Sequence, residues 1–172
     1  MAPTPLITWR GSVAHEWVDF NGHLRDAFYM LLFSFASDGF IDQIGLDEAG
    51  RAATGHSIFT LECHINYLLE VKEGTAVEVR TQLLGHDAKR LHAYHSLHWA
   101  GAEPTRAGAA SMTDETRPML AGSEQMWLNM DMTTRRSTPF AAPVLARVQA
   151  IAAQHKSLLL PKYAGRVIAL PG

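Results

Sequence analysis

Between Asp19 and Asp26 the chain gathers two carboxylates, an amide and an imidazole: Asp19, Asn21, His23 and Asp26, spaced by Phe20, Gly22, Leu24 and Arg25. A carboxylate takes a proton from water or attacks an electrophile itself, and an imidazole or amide orients the groups involved. An apolar run from Ala27 to Ile44 follows directly. Polar chemistry just ahead of a helix gains from backbone N–H groups that the first turn leaves unpaired. Asp19, Asn21 and His23 are therefore the catalytic candidates. The backbone of Asp26, Ala27 and Phe28 is the candidate oxyanion site. Each also has a plainer reading. Asp19 suits a turn residue that bonds its own loop around Asn21-Gly22. His23 suits a ring packed beside the helix, and Asp26 suits an N-cap, which is preferred for it over direct catalysis.

Downstream, Glu62, His64 and Asn66 alternate on one face of a strand. They either border a site from a partner subunit or form a solvated sheet face. Arg135 and Arg136 offer phosphate-binding geometry or a solvated turn. His92, His95 and His98 do not make a metal site, because on a strand His95 points away from the other two. Cys63, the single cysteine, sits at an apolar-face position and reads as a small buried residue. No glycine-rich phosphate loop is present.

These groups need elements to hold them. Leu6 to Trp17 reads as a short strand region, with Ile7, Trp9 and Val13 as packing residues. Ala27 to Ile44, capped by Asp26 and stopped by Gly45, is apolar on most sides, as in a helix that other elements wrap around. Asp47 to Ser57 is a connection. Then the period changes from helical to alternating. Strands are expected over Ile58–Leu69, Ala76–Leu84, Leu91–Trp99 and Glu124–Met132, the last with Met126, Leu128 and Met130 on one face against Gln125, Trp127 and Asn129. Their short turns make antiparallel neighbours. Ala100 to Gly122 is a long loop rich in Gly, Ala, Thr and Pro, either mobile or an insertion. Pro143 to His155 is an amphipathic helix built on Val144, Leu145, Val148 and Ile151, and the tail to Gly172 is extended. Helix and antiparallel sheet together imply one α+β domain over residues 1–172. One sheet around one helix leaves an edge strand, which favours a homodimer or homotetramer joined edge to edge.

Composition narrows the partners. A net charge of −2 without a basic arm argues against nucleic acid. The apolar run is broken by Ser34, Ser37, Asp38 and Asp42 and falls short of a membrane span. Met1 to Pro5 lacks signal-peptide character, and a lone cysteine fits a reducing compartment, so the cytoplasm is expected. No cofactor and no metal are expected.

The run Asp19-Phe20-Asn21-Gly22-His23-Leu24-Arg25-Asp26-Ala27-Phe28-Tyr29 resembles the motif that leads into the central helix of the hotdog fold, in its 4-hydroxybenzoyl-CoA thioesterase-like branch. The strand around His64-Ile65-Asn66-Tyr67 with Gly74 after it, and Glu124-Gln125-Met126, extend the likeness. More narrowly, Asn21 to Tyr29, Ser57 to His64 and Asp87 to His92 look like the thioesterases of bacterial carnitine breakdown, which act on betainyl-CoA. The resemblance puts Asp19 at the family's catalytic carboxylate and Asn21 and His23 at its amide and histidine. Arg25 and Asp26 replace the family's two asparagines. It implies hydrolysis of an acyl-CoA with Asp19 as general base or nucleophile; from the residues themselves, Glu62, His64, Tyr67 and Arg135 are the candidate substrate contacts. A betaine acyl group would need aromatic faces around its ammonium. Trp17, Phe20, Phe28, Tyr67 and Trp127 are the aromatics on offer. The rivals are a non-catalytic acyl-CoA-binding module on the same scaffold and a hydratase of hotdog type.

Overall fold

A computed structural model describes residues 3–101 and 118–170. Five strands form one antiparallel sheet in the order β1 (Leu6–Ser12), β3 (Ala76–His86), β4 (Arg90–Trp99), β5 (Ala121–Asp131), β2 (His56–Tyr67). A two-residue β6 (Arg136–Ser137) adds to β5. The sheet wraps α1 (Asp26–Ile41), the hotdog arrangement that the motif implied. Tyr29, Leu32, Phe33, Ala36, Ser37 and Phe40 of α1 are buried. The helix crosses β1 so closely that a Cβ at Gly39 would collide with the carbonyl oxygen of Thr8.

The core divides in two. Val18, Leu24, Leu32, Phe33, Val79, Leu97 and Ala121 pack around the first half of α1. Phe40, Ile44, Leu83, Leu91, Trp127 and Val148 pack around its second half, with α3 (Ala142–His155) closing that end. A polar chain runs between them. Fully buried His95 meets the Thr81 hydroxyl through Nδ1 at 2.8 Å and the Ser37 hydroxyl through Nε2 at 3.1 Å. Thr81 meets Thr8 at 2.7 Å, the Ser37 hydroxyl lies 3.4 Å from Gln125 Oε1, and Trp127 Nε1 donates to that oxygen at 2.7 Å. On β3 Thr81 sits between Val79 and Leu83, and on β4 His95 sits between Leu97 and Ala93, one residue of either cluster in each case. Such a chain inside a core is tolerable only because each member finds a partner.

Several expectations need correction. Asp26 is the first residue of α1 rather than its cap; Arg25 holds the cap position and no side chain bonds there. The apolar run leaves the α-helix at Ile41, continues in a π-helical turn, Asp42–Leu46, and ends at Gly45 with φ 87°. The connection after it contains a second helix, α2 (Glu48–Thr54), capped by Asp47, whose Oδ1 accepts from the Gly50 N–H at 2.9 Å. In β2 the register shifts between Thr60 and Glu62, so the strand has a bulge at Leu61 and not one unbroken alternation. Ile58 and Thr60 pair with Asn129 and Trp127 before the bulge; Cys63, Ile65 and Tyr67 take the helix-facing side after it. Cys63 is nevertheless exposed, because β2 is the sheet edge there.

The alternation expected on β5 holds, and the structure decides which face is inward. Ser123, Gln125, Trp127 and Asn129 point inward and are buried, while Met126, Leu128 and Met130 face outward. Gln125 bonds Trp127 and Ser123, and Asn129 Nδ2 donates to the Thr138 and Pro139 carbonyls, while Asn129 Oδ1 is buried without a partner among the described residues. β5 also starts at Ala121, inside the expected loop; residues 102–117 of that loop lie outside the described residues. The tail lies on the sheet face opposite α1: Gln82 donates to the Leu159 carbonyl, and the Gly165 N–H donates to Glu124 Oε2 at 2.6 Å. Among the described residues, no helix is long and apolar enough to cross a membrane.

Candidate active site

Asp19 to His23 form the tip of a tight hairpin. Val18 pairs with Leu24, and the Asp19 N–H donates to the His23 carbonyl at 2.9 Å. The hairpin is anchored on both sides. Arg25 N–H donates to the Trp17 carbonyl, Leu24 N–H to Val71 and Glu73 N–H to Gly22. Both Val18 and Leu24 are buried, so the tip is carried on core residues. Gly22, at φ 76°, makes the turn in a region that other residues rarely enter.

Asp19 Oδ1 accepts the N–H of Asn21 at 2.8 Å and that of His23 at 3.0 Å. The His23 N–H above all holds the carboxyl below its usual range, opposed by modest desolvation and helped by the Asn21 N–H. The turn role and the chemical role therefore fall on different oxygens of one side chain. Oδ1 shapes the loop; Oδ2 has no protein partner among the described residues. Asn21 enters through its backbone, with its side chain exposed. His23 turns toward Glu70, Nε2 lying 3.5 Å from Oε2.

The start of α1 is more selective than expected. Ala27 N–H is taken by the Asp26 carboxylate at 2.8 Å, and Phe28 N–H donates to the Arg25 carbonyl at 3.0 Å. The Asp26 N–H has no acceptor among the described residues, which leaves it as the open donor of the first turn.

Beside it lies a pocket of about 290 Å³ lined by Leu24, Asp26, Tyr29, Tyr67, Leu68, Leu69 and Glu70. Tyr29 and Tyr67 meet edge to face with centroids 5.3 Å apart. The Tyr67 hydroxyl donates to the Asp26 carbonyl at 3.4 Å and the Tyr29 hydroxyl to the Leu69 carbonyl at 3.2 Å. Burial, with the Glu70 charge, pushes the Tyr29 phenol up to about 12; burial and the Asp26 charge raise Tyr67 as well. Both phenols stay neutral. Tyr29 and Glu70 were not among the sequence candidates. Tyr29 carried a signal, since it stands three residues after Asp26 and so on the same helix face. Glu70 carried none, because its approach to His23 is made by tertiary contacts alone.

This geometry has relatives. The family model of the thioesterase-like superfamily matches residues 13–148. The chain belongs to that superfamily. It is 54% identical over 166 residues to a betainyl-CoA thioesterase of Pseudomonas aeruginosa, covering 96% of each chain. It is 37% identical to an L-carnitine dehydrogenase/betainyl-CoA thioesterase of Rhizobium meliloti, matching 96% of this chain and 30% of that longer one. Among solved structures, a Staphylococcus aureus protein in complex with CoA superposes with a TM-score of 0.82 at 26% identity, covering 99% of this chain and 98% of that one. A Pseudomonas putida KT2440 protein gives 0.78 at 46% identity, covering 98% and 99%.

In this thioesterase-like chain the other sequence candidates fall elsewhere. Glu62 and His64 lie on the sheet face away from α1. They share a second pocket with His92, Glu124, Met126 and Arg166, in which His92 Nε2 meets Glu124 Oε1 at 2.6 Å. Arg135 sits past the far end of β5, at φ 56°, with its guanidinium 5.3 Å from the centre of the Phe59 ring. Of the five aromatics considered for an ammonium, Tyr67 lines the pocket beside Asp26. Trp127 is sealed in the core against Phe40 and His95, Trp17 and Phe28 stack on one another, and Phe20 stands in solvent.

Proposed function

We propose that this chain acts as one thioesterase domain that hydrolyses betainyl-CoA to betaine and CoA in the cytoplasm, as part of carnitine breakdown. The observation that carries the reading is the pairing of an ionised Asp19, pinned through Oδ1 with Oδ2 free, with the open Asp26 N–H at the start of α1. Thioesters have little resonance stabilisation, so one base and one oxyanion donor suffice. Water attacks the carbonyl carbon while Asp19 Oδ2 accepts its proton. The new C–O bond leaves an oxyanion, which the Asp26 N–H receives. The oxyanion collapses, the C–S bond breaks, and the CoA thiolate leaves and recovers the proton from Asp19. His23, through Glu70, ties the hairpin to the neighbouring pocket.

Thiol release from a panel of acyl-CoAs tests this. Betainyl-CoA is expected to be the best substrate. No thiol from any member of the panel, with CoA itself still bound, returns the chain to the binding-module reading.

The active form is a homodimer joined along β2. That strand is twelve residues long and is paired on one side only, with β5. It exposes Leu61 at 56%. An open edge of this length invites another strand. Antiparallel self-pairing runs the Phe59 end of one copy toward the Tyr67 end of the other. Arg135 of the partner subunit then approaches the pocket from outside, where CoA phosphates would emerge. Sedimentation is expected to give twice the mass of one chain, and Leu61→Asp to shift it toward one. A wild-type protein that sediments as a single chain removes the dimer.

A further inference from the structure

We infer that Tyr67, Tyr29, Asp26 and Glu70 form the subsite that selects a positively charged acyl group, and that their charge makes the site poor for neutral acyl chains. The inference rests on the thioesterase reading above and adds which residues recognise the acyl group.

The pocket is unusual for its position. It opens beside the backbone donor that must receive a developing oxyanion. Yet two of its seven lining residues, Asp26 and Glu70, are carboxylic acids, and none is lysine or arginine. Negative charge next to an oxyanion opposes the reaction. A substrate that brings its own positive charge reverses that effect. An ammonium in the pocket is attracted by both carboxylates and also lies near the oxyanion. Asp26 contributes both parts of this arrangement, the backbone N–H toward the oxyanion and the carboxylate toward the cation.

The aromatic walls fit the same ligand. Tyr67 is 53% exposed and offers its ring to solvent, while Tyr29 behind it is buried. Their edge-to-face contact holds the exposed ring in place from behind. The Tyr67 hydroxyl reaches the Asp26 carbonyl at 3.4 Å, so the ring lies within one acyl unit of the oxyanion donor. Aromatic faces attract an ammonium that carries methyl groups in place of N–H donors. Such an ammonium gains little from hydrogen bonds, and charge and ring faces are what this pocket provides. The substrate class is a short acyl chain with a quaternary ammonium close to the thioester carbonyl.

The test uses two non-hydrolysable thioethers of coenzyme A that differ only in charge. One carries a trimethylammonioethyl group and the other the neutral 3,3-dimethylbutyl group of the same shape. Calorimetry on the wild-type protein is expected to show the cationic compound binding at least ~10-fold more tightly. Tyr67→Leu and Glu70→Gln are each expected to reduce that ratio at least ~3-fold, and Tyr67→Phe, which keeps the ring, to preserve it. Both positions are exposed, so the variants retain the fold. Equal wild-type affinities overturn the inference, as does a charge preference that survives in Tyr67→Leu or in Glu70→Gln. Thiol release from the matching thioesters is read separately. Turnover with equal affinities defeats the subsite alone. A charge preference without turnover leaves the subsite standing and defeats the thioesterase reading.

Discussion

Asp19→Asn is expected to lower kcat by about 10²–10⁴-fold, the usual contribution of a general base, with the melting temperature almost unchanged. The separation comes from the two oxygens of the native side chain. Oδ1 accepts the Asn21 and His23 N–H groups and so builds the turn. Asparagine retains an oxygen there and keeps both bonds. What it loses is the anionic Oδ2 and its capacity to take a proton from water. Asp19→Ala is a poorer probe, because it also leaves two N–H groups without their acceptor. Steady-state kinetics with betainyl-CoA and a thermal melt on the same preparation decide the matter. Turnover in Asp19→Asn close to that of the wild type would remove the carboxylate from the mechanism. The pH profile carries a second sign. The His23 and Asn21 N–H groups favour the ionised form of Asp19 and hold its titration below the ordinary carboxylate range. The acid limb of the rate profile is therefore displaced to lower pH than an unperturbed aspartate would give.

Acid destabilises this fold through His95. The ring is fully buried between Phe33 and Trp127, and burial lowers its titration from 6.5 to about 3. The hydrogen bonds define which tautomer is buried. Ser37 spends its proton on the Phe33 carbonyl at 2.9 Å, so it accepts from His95, and Nε2 carries the hydrogen. Nδ1 then accepts from Thr81, whose own oxygen accepts from Thr8. A second proton on Nδ1 would turn the Thr81 hydroxyl out of its place in the chain. The unfolded chain has no such restriction and binds that proton near pH 6.5. The contribution of neutral His95 is thus complete above about pH 6.5 and is lost as the pH falls from there toward 3, at about 1.4 kcal/mol per pH unit for a single proton. Urea unfolding at a series of pH values is expected to show this slope. His95→Gln, which keeps one acceptor and one donor, is expected to be less stable at neutral pH and flatter in acid. Subtracting the two curves cancels the other titrating groups, His155 included, whose burial also lowers its titration. Parallel curves for wild type and variant overturn the assignment.

Much of the architecture was legible because β4 alternates along its length and β3 alternates as far as Leu83, before the register shift between Leu83 and Gly85. Leu91, Ala93, His95, Leu97 and Trp99 all proved buried. The long apolar run could hardly be anything but a central helix, and α1 occupies most of it. Local rules failed where two elements negotiate. On β5 the alternation left the inward face undecided, and Gln125 and Asn129 are buried there with hydrogen-bond partners, so polarity along the strand does not mark solvent. The bulge at Leu61 changed the parity of β2, an offset that hydrophobic periodicity does not announce. α2 is seven residues long, too short for a periodic signal to stand out from its Gly and Ala content.

By itself the sequence determined the chemistry at the turn. It supplied Asp19, Asn21, Gly22 and His23 in the order that closes a tight hairpin, and an apolar run whose start must leave donors open. These are properties of neighbours a few bonds apart, where spacing along the chain is spacing in space. Only the tertiary structure decided what stands next to that open donor and that free oxygen. Ala27 and Phe28 N–H are occupied by their own chain neighbours, the Asp26 carboxylate and the Arg25 carbonyl, whereas Tyr67 and Glu70 reach the start of α1 from the far end of β2. The turn places the base through local bonds, whereas the acyl pocket exists because a sheet wraps a helix and carries the end of one strand to the first residue of the other element.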